Sequence, residues 1–165
     1  MKPRPSAKIV REHLRYDAAT GELWWKIITN KRPADKPAGW NGSENRRFVK
    51  LFGQTYPATH LAWVIVKGRW PRHQVDHKDL TPTNNRWTNL RGATNQQNMC
   101  NKRARSDNKS GYKGVCWKAK NRQWVAQICV KGVVIHLGLF PTPESAHKVY
   151  AAAAAKHFGE FARAN

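Results

Sequence analysis

The chain has 165 residues and a formal net charge of +20, from 30 Lys and Arg against 10 Asp and Glu, with 40% hydrophobic residues. That apolar share excludes a disordered polymer, and a charge far above the roughly 2–8 of an ordinary small domain predicts a polyanionic partner, nucleic acid rather than a membrane. No apolar run approaches the roughly 20 residues of a transmembrane helix, and the basic start MKPRPSAKIVREHL lacks the apolar core of a signal peptide, so a cytoplasmic protein is expected.

Residues 1–72 read as a mixed α/β segment that supports the middle of the chain and could itself touch the partner. Ile9 to Leu14 fits a short helix. YDAATGELWWK (16–26) reads as a turn at Thr20-Gly21 leading into a strand. Residues 27–45, rich in Pro, Gly and cations, suggest an exposed loop. RRFVKLFGQTYPATHLAW (46–63) predicts a strand, a turn at Gly53, a second strand and a helix from about Thr59. Five tryptophans lie here (Trp24, Trp25, Trp40, Trp63 and Trp70), and at this density they are expected in a core rather than as stacking groups.

From Gln74 to Lys102 the sequence is QVDHKDLTPTNNRWTNLRGATNQQNMCNK. Asp76 and His77 end a short strand, Asn84-Asn85 follow a Pro-containing loop, and Trp87 to Arg91 fits a second strand. Thr94 can cap a helix with Gln97 as its capping-box partner, which puts Asn98 in the first turn. The core so defined spans 73–106. Residues 107–111 read as a linker, and the basic stretch 101–111 could lie along phosphates without reading sequence. Three cysteines without a CxxC pair (Cys100, Cys116 and Cys129) predict reduced thiols, the last two in strands.

The final segment, 112–165, reads as a sheet plus a helix. YKGVCWK (112–118) predicts one strand. QWVAQICVKG (123–132) predicts a second, with Trp124, Ala126, Ile128 and Val130 on one face and Val125, Gln127 and Cys129 on the other. Lys131-Gly132 makes a tight turn into a third strand, VVIHLGLF (133–140). A helix follows, with Thr142 as its cap, Pro143 at its first position, Glu144 at its positive end and Gly159 as its stop. Its apolar stripe should cover one face of the sheet and leave the other free and basic.

VDHKD, NNRWTNLR and TNQQNMCN together resemble the HNH endonucleases, in the H-N-N branch common among phage homing enzymes. The resemblance implies a ββα-metal core, with His77 as general base, Asn89 tying down the loop between the strands and orienting the histidine, and Asp76 and Asn98 as metal ligands. Independently of the family, a histidine can take a proton from water at neutral pH, and a divalent cation can stabilise a departing alkoxide. One carboxylate and one amide oxygen suit magnesium, with manganese or another divalent cation as the alternative. Asp79 is the nearest further acid.

YKGV, WVA, the Leu137-Gly138 pair and the alanine run near Ala152 resemble the plant ethylene-response type of DNA-binding domain, over about 111–163. That likeness implies a sheet laid in the major groove of duplex DNA. Lys113, Trp117, Lys118, Lys120, Arg122, Gln127, Lys131 and His136 are the solvent-facing candidates, and Trp124 is either a DNA contact or core. That family often carries an Arg where Cys129 stands, so one base contact is absent from the pattern. The expected protein is an α+β, site-preferring nicking or homing-type DNA endonuclease, a monomer or weak dimer in a bacterial or phage-infected cell. A non-catalytic DNA-binding regulator and an RNA- or ribosome-binding protein are the alternatives.

Overall fold

The computed structural model describes residues 3–29, 36–102, 104 and 107–163. Residues 30–35 of the expected loop, and Arg103, Arg105 and Ser106 of the expected phosphate-lining stretch, lie outside these. Two compact units make up the chain, Met1–Ala93 and Thr94–Asn165.

In the first unit, helix α1 (Ala7–His13) is capped by Ser6, whose hydroxyl accepts from the Ile9 amide. A hairpin follows, β1 (Leu14–Tyr16) against β2 (Leu23–Trp25). The expected open loop holds more order than its composition suggests: β3 (Trp40–Asn41) pairs with β4 (Arg47–Leu51), and β4 pairs with β5 (Gln54–Pro57). Helix α2 (Ala58–Lys67) starts on Pro57 and ends at Gly68 in the left-handed region. Val10, Leu14, Leu23, Val49, Leu51, Leu61 and Val64 form the buried core between these elements. Each such side chain contributes about 1.5–3 kcal/mol by leaving water.

The tryptophans do not fill that core. Trp25 and Trp70 only pack against it, half-buried, and Trp40 is 46% exposed. Trp63 meets Trp87 at 5.5 Å, while Trp24 lies under the Arg15 guanidinium at 5.4 Å. Small aliphatic side chains from α1, β4 and α2 occupy the centre, so the indoles are left to seal its margin.

Strand β6 (Gln74–His77) pairs antiparallel with β7 (Leu90–Ala93), setting Asp76 opposite Arg91 and His77 opposite Leu90. The second strand therefore begins three residues later than expected. Trp87–Asn89 form a short 3₁₀ turn whose last residue, Asn89, is buried and hydrogen-bonded into the loop before it.

The second unit opens with α3 (Asn95–Asn101), and both halves of the Thr94–Gln97 capping box are made. Residues 107–111, expected as a linker, include a hydrogen-bonded turn in which Ser110 Oγ accepts from the Tyr112 amide and lies within hydrogen-bond distance of the Tyr112 and Val115 carbonyls. Strands β8 (Val115–Lys118), β9 (Gln123–Val130) and β10 (Val133–Phe140) form an antiparallel sheet with β9 in the middle. Helix α4 (Pro143–Phe158) has the cap, proline and glycine stop expected of it, and packs Ala146, Tyr150 and Ala154 onto Val115, Ala126 and Ile128.

Strand β8 begins at Val115 rather than Tyr112, because Gly114 turns the chain with φ +72°. A Cβ at this position would lie 2.2 Å from the Tyr150 ring. Gly114→Ala should therefore cost roughly 2–4 kcal/mol, from strained φ and overpacking together. Urea unfolding of the full chain, read on signals of the second unit, checks this; a loss too small to resolve would mean that Tyr150 moves aside freely.

Candidate active site

The ladder between β6 and β7 carries Asp76 and His77, two of the four residues expected to form a cutting site, and Asn89 immediately precedes β7. Asp76 is buried at 6% exposure, and its Oδ2 accepts from Arg91 Nε at 3.1 Å. The two residues face each other across the ladder, so the ion pair follows from register. Sequence reading does not single out Arg91, although it lies within the quoted motif. A buried carboxylate requires such a partner, because an uncompensated charge there costs several kcal/mol.

His77 is half-buried at the end of β6, and its Nε2 lies 2.9 Å from Asn85 Oδ1. Asn85 is itself buried at 4% exposure. Its place in the sequence suggests only a turn residue, yet this side chain, from across the loop, contacts the imidazole. Asn89 works on the loop itself. Its Oδ1 accepts from the Asp79 amide at 3.1 Å, and its Nδ2 donates to Asp79 Oδ1 at 2.9 Å and to the Asn84 carbonyl at 2.8 Å. Asp79 also accepts from the Thr81 amide and from Asn84 Nδ2. Burial pushes the Asp79 carboxyl up, but these hydrogen bonds outweigh it and hold the group below the usual carboxylate range. Asp79 therefore serves as the hub of the loop.

Asn98 lies on α3, in the second unit. The oxygen donors of Asp76 and Asn98 are of the hard type that magnesium takes, and one carboxylate alone leaves most of an octahedral shell to water and phosphate oxygens. Among the described residues, no cluster of three or more His, Cys, Asp or Glu stands ready to hold a metal ion.

The expected DNA-reading face differs from its sequence description in three ways. Lys113 is half-buried rather than presented to solvent, and its ammonium donates to the Cys100 and Lys102 carbonyls at the end of α3. Burial pulls its pKa down. Trp117 is 50% exposed, but it pairs with Trp124 across the ladder, on the same side as the core residues Val115 and Ala126. Finally, the opposite side is not a uniform basic surface. Cys116, Val125, Gln127, Cys129, Val134 and His136 share it by register, and Val125 is buried. An apolar groove lined by Met99, Cys100, Cys129 and Val134 adjoins that side. The cations gather instead at the sheet ends, with exposed Lys118, Lys120 and Arg122 around the β8–β9 connection and Lys131 at the β9–β10 turn. The three cysteines are free thiols, Cys100 buried and the other two exposed.

Comparison with known proteins bears on the first of these regions. Residues 56–100 match the family model of the HNH endonucleases. The chain is also 37% identical over 103 residues to an uncharacterised HNH endonuclease, L560, of Acanthamoeba polyphaga mimivirus. That alignment takes in 62% of this chain and 52% of the mimivirus protein, so the chain spans about half the length of the curated relative it matches. Among solved structures, the HNH homing endonuclease I-HmuI, solved in a study of DNA binding and cleavage, aligns over 93% of this chain and 90% of its own, at 20% identity and a TM-score of 0.44.

Proposed function

We propose that this chain is a divalent-metal-dependent DNA endonuclease that hydrolyses phosphodiester bonds. The observation that carries the reading is the pairing of His77 Nε2 with Asn85 Oδ1, one residue along β6 from the buried Asp76, inside the stretch that matches the HNH endonucleases. In this reading His77 accepts the proton of the attacking water. Asp76 would hold the cation, with Arg91 keeping its carboxylate in one orientation. Asn98 is assigned as a further ligand from the motif alone. When bound, magnesium or manganese supplies Lewis-acid stabilisation of the departing oxygen. Asn89 and Asp79 fix the loop whose Asn85 meets the histidine.

The sheet and helix of the second unit are proposed as the module that recruits duplex DNA, a reading that rests on the sequence resemblance alone, since the family match ends at residue 100. Lys118, Lys120, Arg122 and Lys131 would contact phosphates, and Gln127 and His136 are the base-reading candidates. Trp117 and Trp124 would stack at one end of the helix-covered side. Lys113 drops out of this set, since its ammonium already bonds backbone carbonyls. One such site per chain predicts a nick per binding event, and a double-strand break only where two copies act.

Incubation with supercoiled plasmid tests the proposal directly. Open circles are expected with magnesium, and their absence with chelator. Persistence of supercoil under every divalent cation tried would leave only a DNA-binding protein. Preferential competition by duplex RNA at matched salt would point to an RNA-binding one.

A further inference from the structure

The contact between Asn85 and His77 is one end of a longer arrangement that begins in the N-terminal hairpin. The Tyr16 hydroxyl, at the end of β1, donates to the Asn85 carbonyl at 2.6 Å across 69 residues of sequence. Two residues further on, the Trp87 amide donates to the Ala18 carbonyl at 3.0 Å. Between these bonds Gly21, with φ +83°, lies so close that a Cβ there would sit 2.4 Å from the Asn85 carbonyl carbon. From the loop side, Asn89 Nδ2 holds the Asn84 carbonyl. The Asn85 backbone is thus fixed from both directions and its side chain is buried, so its amide has little freedom to turn away from the imidazole.

We propose that Asn85, clamped by the 16–21 hairpin through Tyr16, is the positioning residue that sets the orientation and tautomer of His77. The inference rests on the nuclease reading above. An amide oxygen only accepts, so the ring nitrogen facing Asn85 Oδ1 is Nε2–H. The neutral ring then carries its lone pair on Nδ1, which is the nitrogen that takes the proton. A ring in the other tautomer would present a hydrogen where a base is needed, however well it were packed. Burial, and then the charge of Asp17, push the Tyr16 phenol up to about 12, so it stays a donor throughout the working range.

Two readouts on the full chain test this. In the first, ¹⁵N-histidine NMR reports the His77 tautomer of the neutral ring, with the signal assigned by its absence from His77→Ala. Wild type and Asn85→Asp, which keeps an oxygen acceptor, are expected as the Nε2–H form, and Asn85→Leu as a mixture. In the second, plasmid nicking is measured against DNA concentration. Asn85→Leu should lower kcat on the order of 100-fold with KM and melting temperature unchanged. Tyr16→Phe should lower it about fivefold, and Asn85→Asp should recover much of the loss. An unchanged tautomer in Asn85→Leu, or Asn85→Asp nicking no faster than Asn85→Leu, overturns the proposal. If wild type itself fails to nick, the nuclease reading falls, while the tautomer comparison still decides the role of Asn85.

Discussion

His77→Ala is expected to lower the rate of plasmid nicking about 10²- to 10⁴-fold, the range that a positioned general base contributes to proton transfer. The effect should appear in kcat, with duplex affinity nearly unchanged. Affinity for a polyanion is expected to come from the charge of the whole chain, +20, and a single side chain adds little to it. The side chain is half-buried and bonded to Asn85, so its removal leaves a small polar gap rather than a collapsed core. Nicking time courses beside fluorescence-anisotropy binding separate the two quantities. Equal loss of supercoil with wild type and His77→Ala would remove the histidine from the chemistry, and weakened binding at full catalytic rate would make it a DNA contact.

Arg91→Met should have the largest effect on stability, about 3–5 kcal/mol, because it removes the guanidinium that bonds the buried Asp76 carboxylate. Nicking should fall as well, since Asp76 would lose its fixed orientation. The double variant Asp76→Leu/Arg91→Met is expected to regain most of the stability and none of the activity. A buried ion pair replaced whole by apolar groups costs little, whereas half a pair costs much. Chemical denaturation of the three proteins checks the first claim and the plasmid assay the second. A single variant as stable as wild type would mean that the carboxylate finds another partner or is solvated.

What could be read in advance was local in sequence. The Thr94–Gln97 box and the Thr142, Pro143 and Gly159 signals of α4 each involve residues within one helix and its caps, and all appear as expected. The strands of the final sheet followed from alternation, apart from the delayed start of β8 at Gly114. What escaped was non-local or depended on register. Arg91 meets Asp76 only once β6 and β7 are paired, and Asn85 reaches His77 only after the loop has folded back. Lys113 has the composition of a phosphate contact, but the end of α3 offers it carbonyls first. The face of β9 and β10 away from α4 was expected to be basic because the strands are flanked by lysines. Register instead fills it with cysteines, valines, Gln127 and His136, and leaves the lysines and Arg122 to the turns.

The hairpin at 14–25 has a practical consequence for anyone who would borrow the proposed cutting module. The segment 56–100, which matches the HNH endonuclease family model, is not expected to serve as a portable cassette. Grafted alone onto another scaffold, it would carry Asp76, His77 and Asn85, but Tyr16, Ala18 and Gly21 would stay behind, and with them the surface on which the Asn85–Trp87 backbone rests. A transplant that works would have to bring the first 55 residues along, or rebuild a substitute for that cradle in its new host.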